Sequence, residues 1–166
     1  MSDVPDPWQH RVDAVWLDRA LDDDARIAAI DALAAELGGE HSVALFERAG
    51  ARDSAGREQE AEPLYRAALA AGLDPARRTR AVIQLASTIR NLGKTDDALA
   101  MLADEYTATR GGQLADEAAA FYALALVSSG DTVRAASVAL TALAPHLTHY
   151  TRSVTGYADE LLDPRR

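Results

Sequence analysis

The sequence predicts an all-α protein built as a stack of helix–turn–helix units, and three observations carry that expectation. A small–Gly–small triplet occurs three times at a step of 37 residues: Ala49, Gly56 and Ala61, then Ala86, Gly93 and Ala98, then Ala123, Gly130 and Ala135. A fixed period of roughly 20–50 residues is the mark of stacked repeats. Apolar residues recur at helical spacing along nearly the whole chain, with no strand-like alternation. Alanine, the best helix former, is abundant in pairs and triplets such as Ala34-Ala35 and Ala118-Ala119-Ala120.

The elements follow in order. Residues 8–20 set Trp8, Val12, Val15 and Trp16 on one helical face, and the two tryptophans are expected to anchor an N-terminal cap. Asp22, Asp23 and Asp24 offer an N-cap and favourable charge to a second helix at 24–37, whose stripe is Ile27, Ile30, Leu33 and Leu37 and whose stop is Gly38-Gly39. This pair, 1–40, lacks the triplet and reads as capping helices. Repeats then occupy 41–166. The first, about 42–74, has helices at 42–55 and 57–72. Asp74-Pro75 restarts the chain, with Asp at the N-cap and Pro at the first helical position. The second repeat, 75–111, has helices at 75–92 and 95–109 and ends at Gly111-Gly112. The third, 112–147, has helices at 113–129 and 131–144, with Asp131 as a cap and Pro145 as the close. A last amphipathic helix at 150–162 aligns Tyr150, Val154, Tyr157 and Leu161, and covers the apolar end that a stack would otherwise expose. The 166 residues are expected to form one structural domain.

Composition narrows the function. A formal net charge of −9 argues against nucleic acid or an anionic membrane as the main partner, because phosphate binding rests on Lys and Arg. There is no cysteine, hence no disulfide framework or thiolate metal site. No apolar stretch is long enough to span a bilayer, and residues 1–7 lack the features of a secretory signal, so the expected compartment is the cytoplasm. No phosphate loop, nucleophile elbow or zinc-protease motif is present. His146 and His149 sit beside the break at Pro145 without a third ligand and read as loop or cap histidines. Arg77, Arg78 and Arg80 read as a solvated face paired with Glu60 or Asp104. Neither a cofactor nor a metal is expected.

Helix, Gly turn, helix, with Ala49, Ala86 and Ala123 in the first helices and Ala61, Ala98 and Ala135 early in the second, resembles the tetratricopeptide repeat. Tyr65 and Ala68 match the family's aromatic and small packing sites. Leu102 and Ala139 replace that aromatic in the later copies, and Glu105 stands at the second small site. The family's period is about 34, so the three extra residues per unit are expected between one repeat and the next. The strings Leu45-Phe46-Glu47, Asp53 to Glu58, Pro63-Leu64-Tyr65 and Gln84 to Gly93 are also similar to a small bacterial subgroup of these proteins. The resemblance covers about 41–157. It implies a right-handed α-α superhelix and protein–protein interaction through a concave groove lined by the first helix of each repeat, with no enzymatic activity.

Helical phase then selects the groove residues. The middle repeat offers Arg80, Gln84, Ser87, Arg90 and Asn91, with Gln84, Ser87 and Asn91 on one stripe. The first offers Phe46, Glu47, Gly50, Asp53 and Ser54; the third offers Glu117, Phe121, Leu124 and Ser128. An extended peptide would bond Gln84 and Asn91 through its amides and meet Arg90 with a carboxylate. Alternatively, Arg90 pairs with Asp53 or Glu47 and the stripe is simply solvated. Tetratricopeptide domains that clamp chaperone C-termini carry Lys and Asn in the first repeat and Lys or Arg in the third. Phe46, Gly50, Glu117 and Phe121 occupy those sites here, so that clamp is not expected. The leading expectation is a non-catalytic module for a protein or peptide partner of unknown identity. The alternatives are a self-associating homodimer, meeting through Trp8, Trp16 or the Tyr150–Tyr157 helix, and, less favoured, a small-molecule sensor or enzyme.

Overall fold

A computed structural model describes residues 4–163. Among them are nine α-helices and no strand. The chain divides after Thr88 into two compact units.

Unit 1 holds α1 (Asp6–Leu17), α2 (Asp23–Leu37), α3 (Ser42–Ser54), α4 (Glu58–Ala71) and most of α5 (Pro75–Asn91). Each of the first four packs on its neighbour in sequence. The helix α1 starts two residues earlier than its apolar stripe, because Pro7 fits the first turn, where its missing N–H has no partner to lose. It stops at Leu17, where Asp18 turns extended and its carboxylate takes the Ala20 N–H. Asp22 caps α2 by accepting from the Ala25 N–H at 2.8 Å, and Asp74 caps α5 by accepting from the Arg77 N–H at 3.0 Å. Trp8, Val12, Ile27, Ile30, Leu33 and Val43 join α1, α2 and α3 in one apolar core. There Trp8 is buried, and its indole N–H donates to the Leu33 carbonyl at 2.8 Å. Asp31 ties α2 to α3 through the Arg48 guanidinium at 3.0 Å and a two-pronged contact with Arg52.

Unit 2 holds the last turn of α5, then α6 (Thr95–Ala108), α7 (Ala115–Ser129), α8 (Thr132–Leu143), a 3-10 turn (Ala144–His146) and α9 (Thr151–Glu160). Here too successive helices pack, α6 on α7, α7 on α8 and α8 on α9. Tyr106 stacks on Tyr122 at 5.3 Å, and Arg110 and Arg134 lie over the rings of Tyr106 and Tyr122 respectively.

The triplet is a packing code. All six of its alanines are buried, so each lets a partner helix lie close. Its three glycines, Gly56, Gly93 and Gly130, have φ of 69°, 81° and 92°. The turn around each is the same. The N–H after the glycine reaches back to a carbonyl five residues earlier, Arg57 to Arg52, Lys94 to Ile89 and Asp131 to Leu126, each at 2.9 Å. This closure satisfies the last carbonyls of a helix and requires the left-handed conformation that glycine adopts without strain.

Candidate functional site

Spacing on α3 builds one wall of a site in unit 1. Phe46, Gly50 and Asp53 stand at i, i+4 and i+7, and Glu47, Gly50 and Ser54 at i, i+3 and i+7, so one helical face presents all five. Arg80 and Gln84, one turn apart on α5, and Trp16 at the end of α1 complete the lining of a cavity of about 310 Å³.

Glu47 is 5% exposed. Its Oε2 accepts the Trp16 indole N–H at 2.8 Å. Burial pushes its carboxyl above the usual range, against the pull of that hydrogen bond and of Arg80 and Arg77, while Asp13 adds to the upward push. Asp53 accepts the Tyr65 hydroxyl on Oδ2 at 3.2 Å, and its Oδ1 lies 2.9 Å from the Thr88 hydroxyl. That hydroxyl is also 2.9 Å from the Gln84 carbonyl, and its single proton serves one acceptor at a time. Burial raises the Asp53 carboxyl as well, opposed by the Thr88 and Tyr65 hydrogen bonds. Burial, with Asp53 beside it, also raises the Tyr65 phenol, which stays protonated and donates. The Arg80 guanidinium lies 5.2 Å from the centroid of the Phe46 ring, within cation–π range. Gln84 contributes a buried side-chain oxygen, Oε1, that has no hydrogen-bond partner. Such an orphan costs about 1–3 kcal/mol, which a ligand carrying a donor would recover.

Of the residues singled out from the sequence, Phe46, Asp53, Arg80 and Gln84 come together at this cavity. Ser87 is half-buried on the next turn of α5. In unit 2, Arg90 donates to the side-chain oxygen of the exposed Asn91 at 3.2 Å. Leu124 is exposed and lines a separate, apolar cavity of about 510 Å³ with Ala120, Ala123, Val127, Thr132, Ala135, Ala136 and Ala139. Phe121 is half-buried and is not among those lining residues.

One expectation is corrected, for Arg77. Arg77 pairs with Asp74 at 2.7 Å and donates to the Gln9 side chain at 2.8 Å, because the capping Asp74 is one turn away, while Glu60 faces Arg52 instead. Trp8 and Trp16 both serve the N-terminal core, Trp8 buried within it and Trp16 packed half-buried against it. Eight residues of α-helix turn through roughly 80° more than two full turns, so Trp16 stands at the edge of the shared stripe, where it also reaches α3 and lines the cavity. Trp16 is the lining residue that repeat phase alone does not find, because α1 lies outside the repeats.

No helix among the described residues is long and apolar enough to cross a membrane. A family model for the tetratrico peptide repeat matches residues 42–161. No curated protein and no solved structure matches the chain.

Proposed function

Since the chain belongs to the tetratricopeptide-repeat family, whose general role is protein–protein interaction, we propose that it is a non-catalytic module that takes an extended peptide along the α3–α5 face of unit 1. The observation that carries this reading is the cavity of about 310 Å³ between Trp16, the α3 face and Arg80 and Gln84 of α5. Its lining mixes aromatic surface, charge and an unsatisfied amide oxygen, the combination that buries a side chain while fixing its orientation. In this reading residues 1–40 cap the repeats and also supply one wall of the site through Trp16.

The test is selection of linear peptides against the full chain from a random library, followed by calorimetric titration. Replacing both Arg80 and Gln84 by Ala is expected to weaken the selected peptides at least tenfold, about 1.4 kcal/mol. Replacing both Arg90 and Asn91 by Ala asks whether contact continues along α5. Peptides that bind the Arg80/Gln84 variant as tightly as the parent would falsify the assignment of this face.

A further inference from the structure

The unit 1 cavity sets several hydrogen-bond acceptors on its wall, beside the guanidinium of Arg80 and the side-chain amide of Gln84. Glu47 Oε2 is committed to the Trp16 indole, while its Oε1 accepts no hydrogen bond among the described residues. Gln84 Oε1 is buried and unpartnered. Asp53 Oδ2 accepts from Tyr65, its Oδ1 competes with the Gln84 carbonyl for the Thr88 hydroxyl proton, and further lone pairs remain. The cation of the lining, Arg80, is exposed and rests on the Phe46 ring.

Resting on the peptide-binding reading above, we propose that this cavity receives the primary ammonium group of a lysine side chain of the bound peptide, between Glu47, Asp53 and Gln84 Oε1. An ammonium carries three donors and no acceptor, which matches a wall of oxygens, and its four-carbon stem lies against aromatic surface such as Trp16. A carboxylate or phosphate would find Arg80 at the exposed rim but would meet the carboxylates of Glu47 and Asp53 inside the same lining. An uncharged apolar group would leave Gln84 Oε1 buried without a donor and would add no donor to the one that Trp16 gives Glu47. A guanidinium binds best to a carboxylate with both oxygens open, and neither Glu47 nor Asp53 offers that pair. Phe46, its other natural platform, already lies under Arg80. The upward push of burial on Glu47 and Asp53 agrees with a site whose counter-cation arrives from outside. Around these carboxyls, Arg77 and Arg80 favour the ionised Glu47, whereas Asp13 beside Glu47 and Glu58 beside Asp53 disfavour ionisation. A cation in the cavity adds to the first group, so its affinity is expected to rise with pH as these carboxyls ionise.

The experiment follows the indole N–H resonance of Trp16 in the 15N-labelled full chain, assigned by Trp16→Phe. Titrants are the N-α-acetyl amides of lysine, arginine and norleucine, with butylamine as the free-amine arm. The lysine amide is expected to shift the resonance saturably and to bind at least tenfold more tightly than the other two amides. Glu47→Gln, which keeps an acceptor for Trp16, is expected to weaken it at least tenfold, and Gln84→Met severalfold, in variants whose ellipticity matches the parent. Equal binding of lysine and norleucine amides, or no loss in either variant, overturns the proposal. Butylamine binding more tightly than the lysine amide overturns the assignment to a peptide side chain. The two readings fail separately. Library peptides that require Arg80 and Gln84 but tolerate exchange of every lysine for norleucine leave the peptide face standing and remove the ammonium site.

Discussion

Gly50 sits in the middle of α3 without the positive φ that explains the turn glycines. A Cβ built there would meet the Trp16 ring at 3.5 Å and the Tyr65 hydroxyl at 3.9 Å, ordinary contact distances. Glycine costs a helix interior about 0.5–1 kcal/mol relative to alanine. Gly50→Ala is therefore expected to stabilise the protein by about that amount in urea unfolding, while its methyl shrinks the cavity floor and weakens the peptides selected on the parent. A loss of stability would mean that the Trp16 ring cannot absorb the contact. Gly50 exchanges helix stability for room in the cavity. Its neighbours on the α3 face are legible in the sequence because repeat phase assigns Phe46, Glu47, Asp53 and Ser54 to the same side. Trp16 is not, because its bond to Glu47 spans 31 residues and depends on how the cap packs.

The same substitution has the opposite sign at a turn. Gly93 has φ of 81°, and a Cβ there would meet nothing within 4 Å. The cost of Gly93→Ala is thus local to the backbone, about 1 kcal/mol, with no clash against packed neighbours. Urea unfolding that shows no loss would mean that the turn relaxes out of the left-handed region. The order and type of the helices are legible because stripes, caps and glycine stops agree at each boundary. Their ends shift by one to three residues where a cap decides, as at Asp18, or where Leu114 takes a left-handed φ of 62° and delays the start of α7 to Ala115. Periodicity carries no signal for such a turn. The exposed Leu124 and Val127 on α7 are a related case. Helical phase places them on a face and says nothing of what lies against it.

At the scale of the molecule, stability depends on pH through carboxyls of opposite sign. Burial raises Glu47 above its ordinary 4.5 and Asp53 above its ordinary 3.8. Their contribution is complete below those values and is lost as pH rises through the raised folded-state values. Asp31 is lowered, chiefly by its hydrogen bond to Arg52; its contribution holds above 3.8 and is lost as pH falls through its lowered value. Self-repulsion at a net charge of −9 adds to the loss on the neutral side. Glu47→Gln is expected to melt above the parent at pH 7, with the two Tm values converging below pH 4.5. A gap that stays constant with pH would mean that Glu47 ionises as freely as a solvated carboxyl. The placement of Trp8 and Trp16 has a further, spectroscopic consequence. Both tryptophans of the chain lie in unit 1, whereas the paired rings of unit 2 are tyrosines. An unfolding curve recorded by tryptophan emission therefore follows unit 1 alone, and one recorded by helical ellipticity follows the whole chain.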